Sequence, residues 1–275
     1  MTKKHDNLLV SGFTLIELLV VISSISLLLG VLLPALGTAR KQAYSVVCRS
    51  QVRQLGIASF GYAQESDGHF VPAACDMGQG NDDLYRWHGR RLGRNTAFDP
   101  NGSPLIAYLQ EGQIKECPGR VRFLVTDDWN SSFEKGCGGY GYNMSYLGSR
   151  LWDKRYAARF AASYQNTTSL QEVRQPTSTL MFADTAMTQD GENLIEYSFV
   201  TPPHAVFGGQ TYEDMLMSPS MHFRHRQYTN VGWVDGHVNQ EHASHHGGAN
   251  VYGADSKSTR LGWFTPLNNS LFDLE

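Results

Sequence analysis

Hydrophobic residues are concentrated near the start of this chain. Residues 13–36 hold 17 Ala, Val, Ile, Leu or Phe side chains among 24 positions, and Glu17 is their only charged residue. A helix of that length extends about 36 Å, which is enough to cross a hydrocarbon core of about 30 Å. Lys3 and Lys4 lie on the hydrophilic side before it. The positive-inside rule therefore predicts that residues 1–12 stay in the cytoplasm and that the rest of the chain is exported.

Beyond residue 36 the apolar residues recur on only one face of the predicted helix, where they form a stripe. Gly37 is the only helix breaker before Gly56, and helix-forming residues dominate the segment. The stripe has the spacing i, i+4, i+7, i+11 and i+14, which places its members on one helix face. We therefore predict an amphipathic continuation of the helix over residues 37–63. Its buried face is predicted to contain Cys48, Val52, Leu55, Ser59 and Tyr62.

The remaining residues, 64–275, are predicted to form an exported head with short strands. Gly, Asn, Asp and Ser become frequent, and Asp-Gly or Gly-Gly pairs mark closely spaced turns. Residues 78–103 have no periodic pattern and predict a loop. Brief apolar runs between polar or Gly/Pro residues predict strands over 120–125, 179–183, 196–200 and 231–234. The expected fold class is α+β, with the long helix packed on a small antiparallel-sheet head.

Composition and charge narrow the function. Hydrophobic residues make up 41% of the 275 positions and the mean hydropathy is −0.34, which excludes a polytopic membrane protein. The 23 Lys and Arg against 26 Asp and Glu give a net charge of −3. Because there is no basic excess, no nucleic-acid partner is expected.

Two ordinary explanations compete for the apolar segment. A secretory signal peptide has an apolar stretch of roughly 7–15 residues, shorter than this one, although Gly37-Thr38-Ala39 resembles a cleavage site. A plain signal anchor fits the length. It gives no reason for Glu17, whose unpaired carboxylate costs on the order of 3 kcal/mol inside a membrane.

The sequence around the start of the apolar segment accounts for this carboxylate. Residues 11–21 read SGFTLIELLVV and resemble the prepilin processing signal of type IV pilins and type II secretion pseudopilins. The resemblance implies that prepilin peptidase cuts between Gly12 and Phe13, that Phe13 is N-methylated, and that the apolar helix is retained. The new ammonium of Phe13 would then pair with Glu17 of a neighbouring subunit and fix the axial register. Pro34 matches a proline common in pilin helices and is expected to kink this one.

A second pattern lies near the carboxyl end of the chain. His225 is followed by nine residues and then Asp235-Gly236, which resembles the His-x9-Asp-Gly signature of a large membrane-anchored prepilin-like group. The residue types predict a β-hairpin in which Asp235 and Gly236 form a type I′ turn. His225 could reach back to hydrogen-bond either Asp235 or Asp184.

The two resemblances imply a non-enzymatic structural subunit of a type IV pilus-like or type II secretion pseudopilus filament. It would be a single-pass inner-membrane protein with its head in the periplasm or outside, or in an extracellular filament. Its partners would be prepilin peptidase, other pilin-like subunits and the inner membrane. The alternative is a membrane-anchored exported binding or sensor module with a His-rich metal or ligand site.

Other candidate chemistry in the head is less specific. No GxSxG or SxxK motif is present, and the GCGGYG run at 136–141 lacks the Lys-Ser/Thr of a phosphate loop, so no enzyme is expected. Cys117 and Cys137 could form a disulfide closing a short loop, while Cys48 is either a packed thiol or a partner for Cys75.

No metal or other cofactor is assigned. Zn²⁺ remains open at the histidines, and Ca²⁺ at four carboxylate or amide side chains. The histidines are His222, His225, His237, His242, His245 and His246, and the possible calcium ligands are Asp235, Asn239, Asn250 and Asp255.

Overall fold

The fold is that of a computed structural model of the whole chain. The residues that it describes are 14–80, 84–93, 96–109, 112–119, 121, 123, 134–188, 193–248 and 253–275. The chain divides into two compact units, Met1–Gln42 and Ala43–Glu275.

A single helix, α1, runs over Leu15–Glu65 and belongs to both units. Every described residue of the first unit is exposed, including the apolar positions from Leu15 to Leu36. The most apolar stretch of 18 residues in α1 has a mean hydropathy of 2.6. Within the described part of the chain, α1 is thus the one helix that could span a membrane by length and composition.

Pro34 lies inside α1 without ending it. Proline has no backbone N–H, so the turn around Pro34 lacks one helical hydrogen bond. The hydroxyl of Thr38 donates a hydrogen bond of 3.2 Å to the carbonyl of Pro34. The predicted continuation of the helix is confirmed, and α1 ends two residues beyond the expected position.

In the second unit, α1 packs on a four-stranded antiparallel sheet. The strands are β3 (Tyr140–Tyr142), β4 (Leu180–Asp184), β10 (Tyr228–Trp233) and β11 (Val238–His242), in the order β11-β10-β4-β3. The helix contacts all four strands through four pairs of residues, which are Ser45 with Gln240, Val52 with Gly232, Cys48 with Asp184, and Gln51 with Tyr140. Of the predicted buried face, four residues are buried and Tyr62 is half-buried.

The other elements are short and surround this sheet. Four further antiparallel pairs join β1 to β2, β5 to β6, β7 to β8, and β9 to β12. Their bounds are β1 Tyr85–Arg86, β2 Gly89–Arg90, β5 Met187–Thr188, β6 Leu194–Ile195, β7 His204–Phe207, β8 Gln210–Leu216, β9 Met221–His222 and β12 Leu261–Gly262. A second helix, α2, covers Phe160–Gln165. The described part of the chain is therefore α+β, as predicted.

Strand predictions succeeded where an apolar run lies in the central sheet. Residues 179–183 and 231–234 correspond to β4 and β10, displaced by one to three residues at their ends. The prediction over 196–200 is wrong, because there only Phe199 forms a bridge, to Tyr142. The carbonyl of Ser198 instead accepts hydrogen bonds from the Trp87 indole and from the backbone of Tyr142.

Of the two other predicted segments, one lies largely outside the described residues and the other contains a hairpin. Residues 120–125 lie largely outside the described residues, since only 121 and 123 are described. The predicted loop over 78–103 is mostly irregular, yet it contains the β1–β2 hairpin, whose turn buries the Trp87 indole completely. The segment contributes to the core because the Trp87 ring packs edge-on against Phe182 of β4 at 5.3 Å.

Candidate functional site

The processing signal lies partly outside the described residues, which exclude Gly12, Phe13 and the predicted leader over 1–12. Glu17 is described, and it forms a reciprocal cap with Thr14 at the start of α1. The Thr14 backbone N–H and hydroxyl donate to Glu17 Oε2 at 2.9 and 2.8 Å, and the Glu17 N–H donates to the Thr14 hydroxyl at 3.2 Å. This is a capping box, which satisfies backbone donors at the start of the helix. Glu17 therefore has a hydrogen-bonding partner within its own chain.

The residues of the His-x9-Asp-Gly pattern separate into two places. Asp235 and Gly236 lie in the connection between β10 and β11, where the Trp233 N–H donates to the carbonyl of His237. Gly236 has φ of +89°, but Asp235 is not in the left-handed region, so the predicted type I′ turn is wrong. Asp235 Oδ1 lies 2.6 Å from Nδ1 of His237. Asp235 thus organises its own turn.

His225 belongs instead to a cluster that also contains Cys48, Cys117 and Asp184, called the Cys₂AspHis cluster below. Cys48 Sγ lies 3.2 Å from Cys117 Sγ and 3.0 Å from Asp184 Oδ1. His225 Nε2 lies 3.4 Å from Cys117 Sγ and 3.5 Å from Asp184 Oδ2. All four ligand-type atoms are within 4.8 Å of one another. Of the two partners considered for His225, the structure brings together His225 and Asp184.

The helix and the central sheet supply two members of the cluster. Cys48 lies on the buried face of α1 and has no exposed surface. Asp184 is the last residue of β4 and is also completely buried. Its Oδ2 accepts hydrogen bonds from the backbone N–H and the side-chain amide of Asn230, at 2.8 and 2.9 Å. These bonds fix the carboxylate so that Oδ1 faces Cys48.

Cys117 comes from an irregular segment held in place by two glycines. The Cys117 N–H donates to the carbonyl of Gly138, and the carbonyl of Gly139 accepts from the Thr185 N–H directly after β4. Both glycines have positive φ, and a Cβ on Gly139 would lie 2.6 Å from Nη1 of Arg224. Glycine is therefore required where this segment approaches the end of β4.

A strained turn positions His225 at the start of β10. His225 and Tyr228 exchange backbone hydrogen bonds of 3.0 and 3.2 Å, and the two residues between them, Arg226 and Gln227, have φ of +59° and +72°. Two consecutive positive φ values define the type I′ geometry, which Asn-Gly normally occupies. Each non-glycine residue there costs on the order of 1 kcal/mol.

The charges of the cluster depend strongly on one another. The hydrogen bond from the Cys48 thiol lowers the pKa of Cys117 to about 5. Burial raises the pKa of Cys48 well above its ordinary value. Burial opposes a charged His225, but its hydrogen bonds with Asp184 and Cys117 outweigh burial and raise its pKa to about 9. These shifts favour a Cys117 thiolate beside the imidazolium of His225.

A thiolate beside an imidazolium is also the arrangement of a catalytic cysteine and its histidine base. In a Cys–His–Asp triad the carboxylate contacts the ring nitrogen that points away from the thiolate, and so orients the base. Here Asp184 and Cys117 both face Nε2 of His225. Two sulfur atoms, one carboxylate and one imidazole nitrogen thus converge on one point, as ligands do around a cation rather than as a catalytic relay does.

The remaining sequence candidates lie outside the cluster. The disulfide proposed between Cys117 and Cys137 is not formed, since all four cysteines are free and the sulfur of Cys117 faces Cys48. His222 accepts a hydrogen bond from Arg224 at Nδ1, and His242 and His246 contact backbone carbonyls. Among the described residues, His225 is thus the one histidine placed in a group of possible metal ligands.

The proposed calcium ligands do not form a shared site where they are described. Asn239 Oδ1 accepts from the Trp233 indole, Asp255 caps the backbone of Lys257 and Ser258, and Asn250 lies outside the described residues. Each described side chain therefore has a local structural role.

Cys117 is the member of the cluster that sequence reasoning assigned elsewhere. Its position depends on the Gly138–Gly139 turn, and no local spacing pattern links it to Cys48. Comparison with protein families, with characterised proteins and with solved structures finds no match to this chain.

Proposed function

We propose that this chain is a non-enzymatic subunit of a pilus-like or pseudopilus filament, anchored and assembled through α1. The observation that carries the proposal is the division of α1 into two halves of different character. Up to Leu36 the helix exposes only apolar and small polar side chains apart from Glu17, and its second half buries one face on the head. An exposed apolar helix needs lipid or other helices around it.

In this proposal the exposed half lies in the inner membrane before assembly and in a bundle of neighbouring helices afterwards. Helix packing between copies of one chain is a heterologous contact that does not close into a ring, so it builds a filament. Prepilin peptidase would cut between Gly12 and Phe13 and leave α1 attached to the head. The sequence SGFTLIE at residues 11–17 supports this step.

The mature amino terminus provides the first test. Intact-mass and peptide mass spectrometry of the chain from its native membrane should find N-methylated Phe13 as the first residue. A chain that begins at Met1, or one that begins near Arg40 after removal of the apolar segment, contradicts the proposal.

Glu17 provides the second test, because its side chain has two possible roles that one substitution separates. Glutamine at this position keeps the hydrogen bonds of the capping box with Thr14 but carries no charge. Charge pairing with the Phe13 ammonium of a neighbour predicts that Glu17→Gln and Glu17→Ala both stay in the membrane and both fail to enter filaments.

Incorporation is measured as the amount of each variant in sheared filaments relative to the membrane fraction. A capping role alone predicts that Glu17→Gln assembles like the unchanged protein while Glu17→Ala does not. That result would eliminate the pairing of Glu17 with Phe13 and leave membrane anchoring untouched.

A further inference from the structure

We propose that the Cys₂AspHis cluster binds one Zn²⁺ ion, which fastens α1 to the head. This inference goes beyond the filament function and does not depend on it. It concerns only residues of the second unit, all of them described.

The chemical types of the four ligand atoms indicate which metal the cluster binds. Two thiolates, one imidazole and one carboxylate form a mixed sulfur, nitrogen and oxygen environment of the kind that zinc accepts with four ligands. Calcium and magnesium prefer oxygen ligands only. Because all four ligands come from the protein, no position is left open for water, and the site is structural rather than catalytic.

The distances are close to those of a tetrahedral zinc site. Zinc bonds of about 2.3 Å to sulfur and about 2.0–2.1 Å to nitrogen or oxygen place neighbouring ligands roughly 3.4–3.8 Å apart. The four closest contacts within the cluster span 3.0–3.5 Å, and the two that involve Asp184 use different carboxylate oxygens. One ligand atom from each residue can be taken so that all four lie within 4.8 Å of one another. Side-chain movements of about 1 Å or less therefore bring the four atoms to tetrahedral separations.

Residues around the cluster hold its ligands in position, as the outer contacts of a metal site do. Asn230 holds Asp184 by two hydrogen bonds, which leaves Asp184 Oδ1 directed at the cluster. Outer contacts of this kind orient the ligands of a metal and increase its affinity. The phenol oxygen of Tyr140 lies 3.1 Å from Cys48 Sγ, and its hydroxyl donates to Gln51 of α1, which fixes the ring beside the cluster. Three of the four ligands are buried, so bound zinc is shielded from water.

A disulfide between Cys48 and Cys117 is the competing use of the same two sulfur atoms. It would leave the burial and the orientation of Asp184 and His225 towards those sulfurs unexplained. Zinc uses all four groups, and for that reason the structure favours the metal.

The experiment measures metal in the full chain purified in detergent without chelators, after expression in medium that contains zinc and iron. Mass spectrometry of the elements should give one zinc per chain, and intact mass of the protein after metal removal should show four free thiols. Cys117→Ser removes the half-buried ligand and should lower the zinc content roughly tenfold or more. Cobalt provides a measurement that needs no variant, because Co²⁺ in the unchanged protein should show thiolate-to-metal charge transfer and strong tetrahedral visible bands.

Two matched variants control for unspecific effects. Cys75→Ala removes a half-buried cysteine outside the cluster, and His237→Ala removes an exposed histidine of the β10–β11 turn; both should keep one zinc per chain. A metal-free chain that is two hydrogen atoms lighter, with Cys48 linked to Cys117, overturns the proposal. Stoichiometric iron, or zinc that survives in Cys117→Ser, equally contradicts the assignment.

Discussion

Gly232 is the position where the packing of α1 on the sheet can be tested most directly. It lies in β10, and a Cβ atom there would be 2.7 Å from Cγ1 of Val52 on the helix. Ordinary contacts of a Cβ atom begin near 3.4 Å. The next neighbours of that Cβ, two atoms of Phe182, are 3.8 and 3.9 Å away. Gly232→Ala therefore places one methyl group against one side chain of the helix.

The expected effect is the difference between two opposing terms. Overpacking a buried contact costs about 1–3 kcal/mol. Replacing glycine within a strand by alanine returns roughly 0.5–1 kcal/mol, because the unfolded chain loses freedom. Gly232→Ala should therefore destabilise the head by about 0–2.5 kcal/mol, with a central value of about 1 kcal/mol. The assay is urea unfolding of the full chain in detergent, followed by tryptophan fluorescence, to which Trp233 beside the substitution contributes.

Val52→Ala supplies the second half of a double-mutant cycle. It removes two buried methyl groups and should cost about 2–3 kcal/mol on its own. In the double variant the methyl group added at position 232 occupies part of the vacated space, so the two costs should fall short of additivity by about 1 kcal/mol or more.

Gly56→Ala is the matched control. Gly56 is a buried residue of α1, yet a Cβ there meets nothing within 4 Å. This variant should be more stable by roughly 0.5–1 kcal/mol, since alanine favours a helix. If Gly232→Ala is more stable than the unchanged protein, as Gly56→Ala is expected to be, or if its cost adds to that of Val52→Ala within about 0.5 kcal/mol, the described contact of α1 with β10 is wrong.

Two further predictions concern backbone strain and a buried ion pair. Gln227→Gly relieves a positive φ of 72° and should stabilise the head by about 1 kcal/mol, while an unchanged urea midpoint would show that the turn is not strained. Glu134 accepts three close contacts from the Arg86 guanidinium; burial opposes its charge, but Arg86 outweighs burial and lowers its pKa from 4.5 to about 2. Since the folded pKa is the lower one, this pair stabilises the fold above pH 4.5 and its contribution of about 3 kcal/mol disappears as the pH falls to about 2. Glu134→Gln should flatten the acid dependence of unfolding over that interval, and an unaltered dependence would contradict the pairing.

The sequence predicts the helix well because its signal is local. Apolar residues dominate as far as residue 36, and beyond it their spacing of three and four positions marks the face that packs on the sheet. The strands β4 and β10 were found for a similar reason, since each is a short apolar run in the centre of the sheet. Residues 196–200 have the same appearance, but their backbone bonds to Trp87 and Tyr142, which no local pattern encodes.

The cluster could be anticipated only in part. The sequence predicts Asp184 as one of two possible partners of His225, and it places Cys48 on the buried face of the helix. Cys117 lies in an irregular segment whose path depends on two glycines with positive φ. Long-range contacts of this kind follow from the assembled fold, and the spacing of residues along the chain does not reveal them. The type I′ turn was likewise assigned to Asp235-Gly236 by composition, whereas the structure forms it at Arg226-Gln227, whose side chains do not favour it.

The contact between Val52 and Gly232 also bears on how the chain is made. Gly232 follows Val52 by 180 residues, and the sheet on which α1 rests is complete only after β11. At about 5–20 residues per second, roughly 10 to 40 s pass between synthesis of the helix and synthesis of its last packing partner. During that interval the apolar face of residues 43–65 has no sheet to cover it. Efficient folding therefore requires that this newly made segment stay free of aggregation until β10 and β11 have been made.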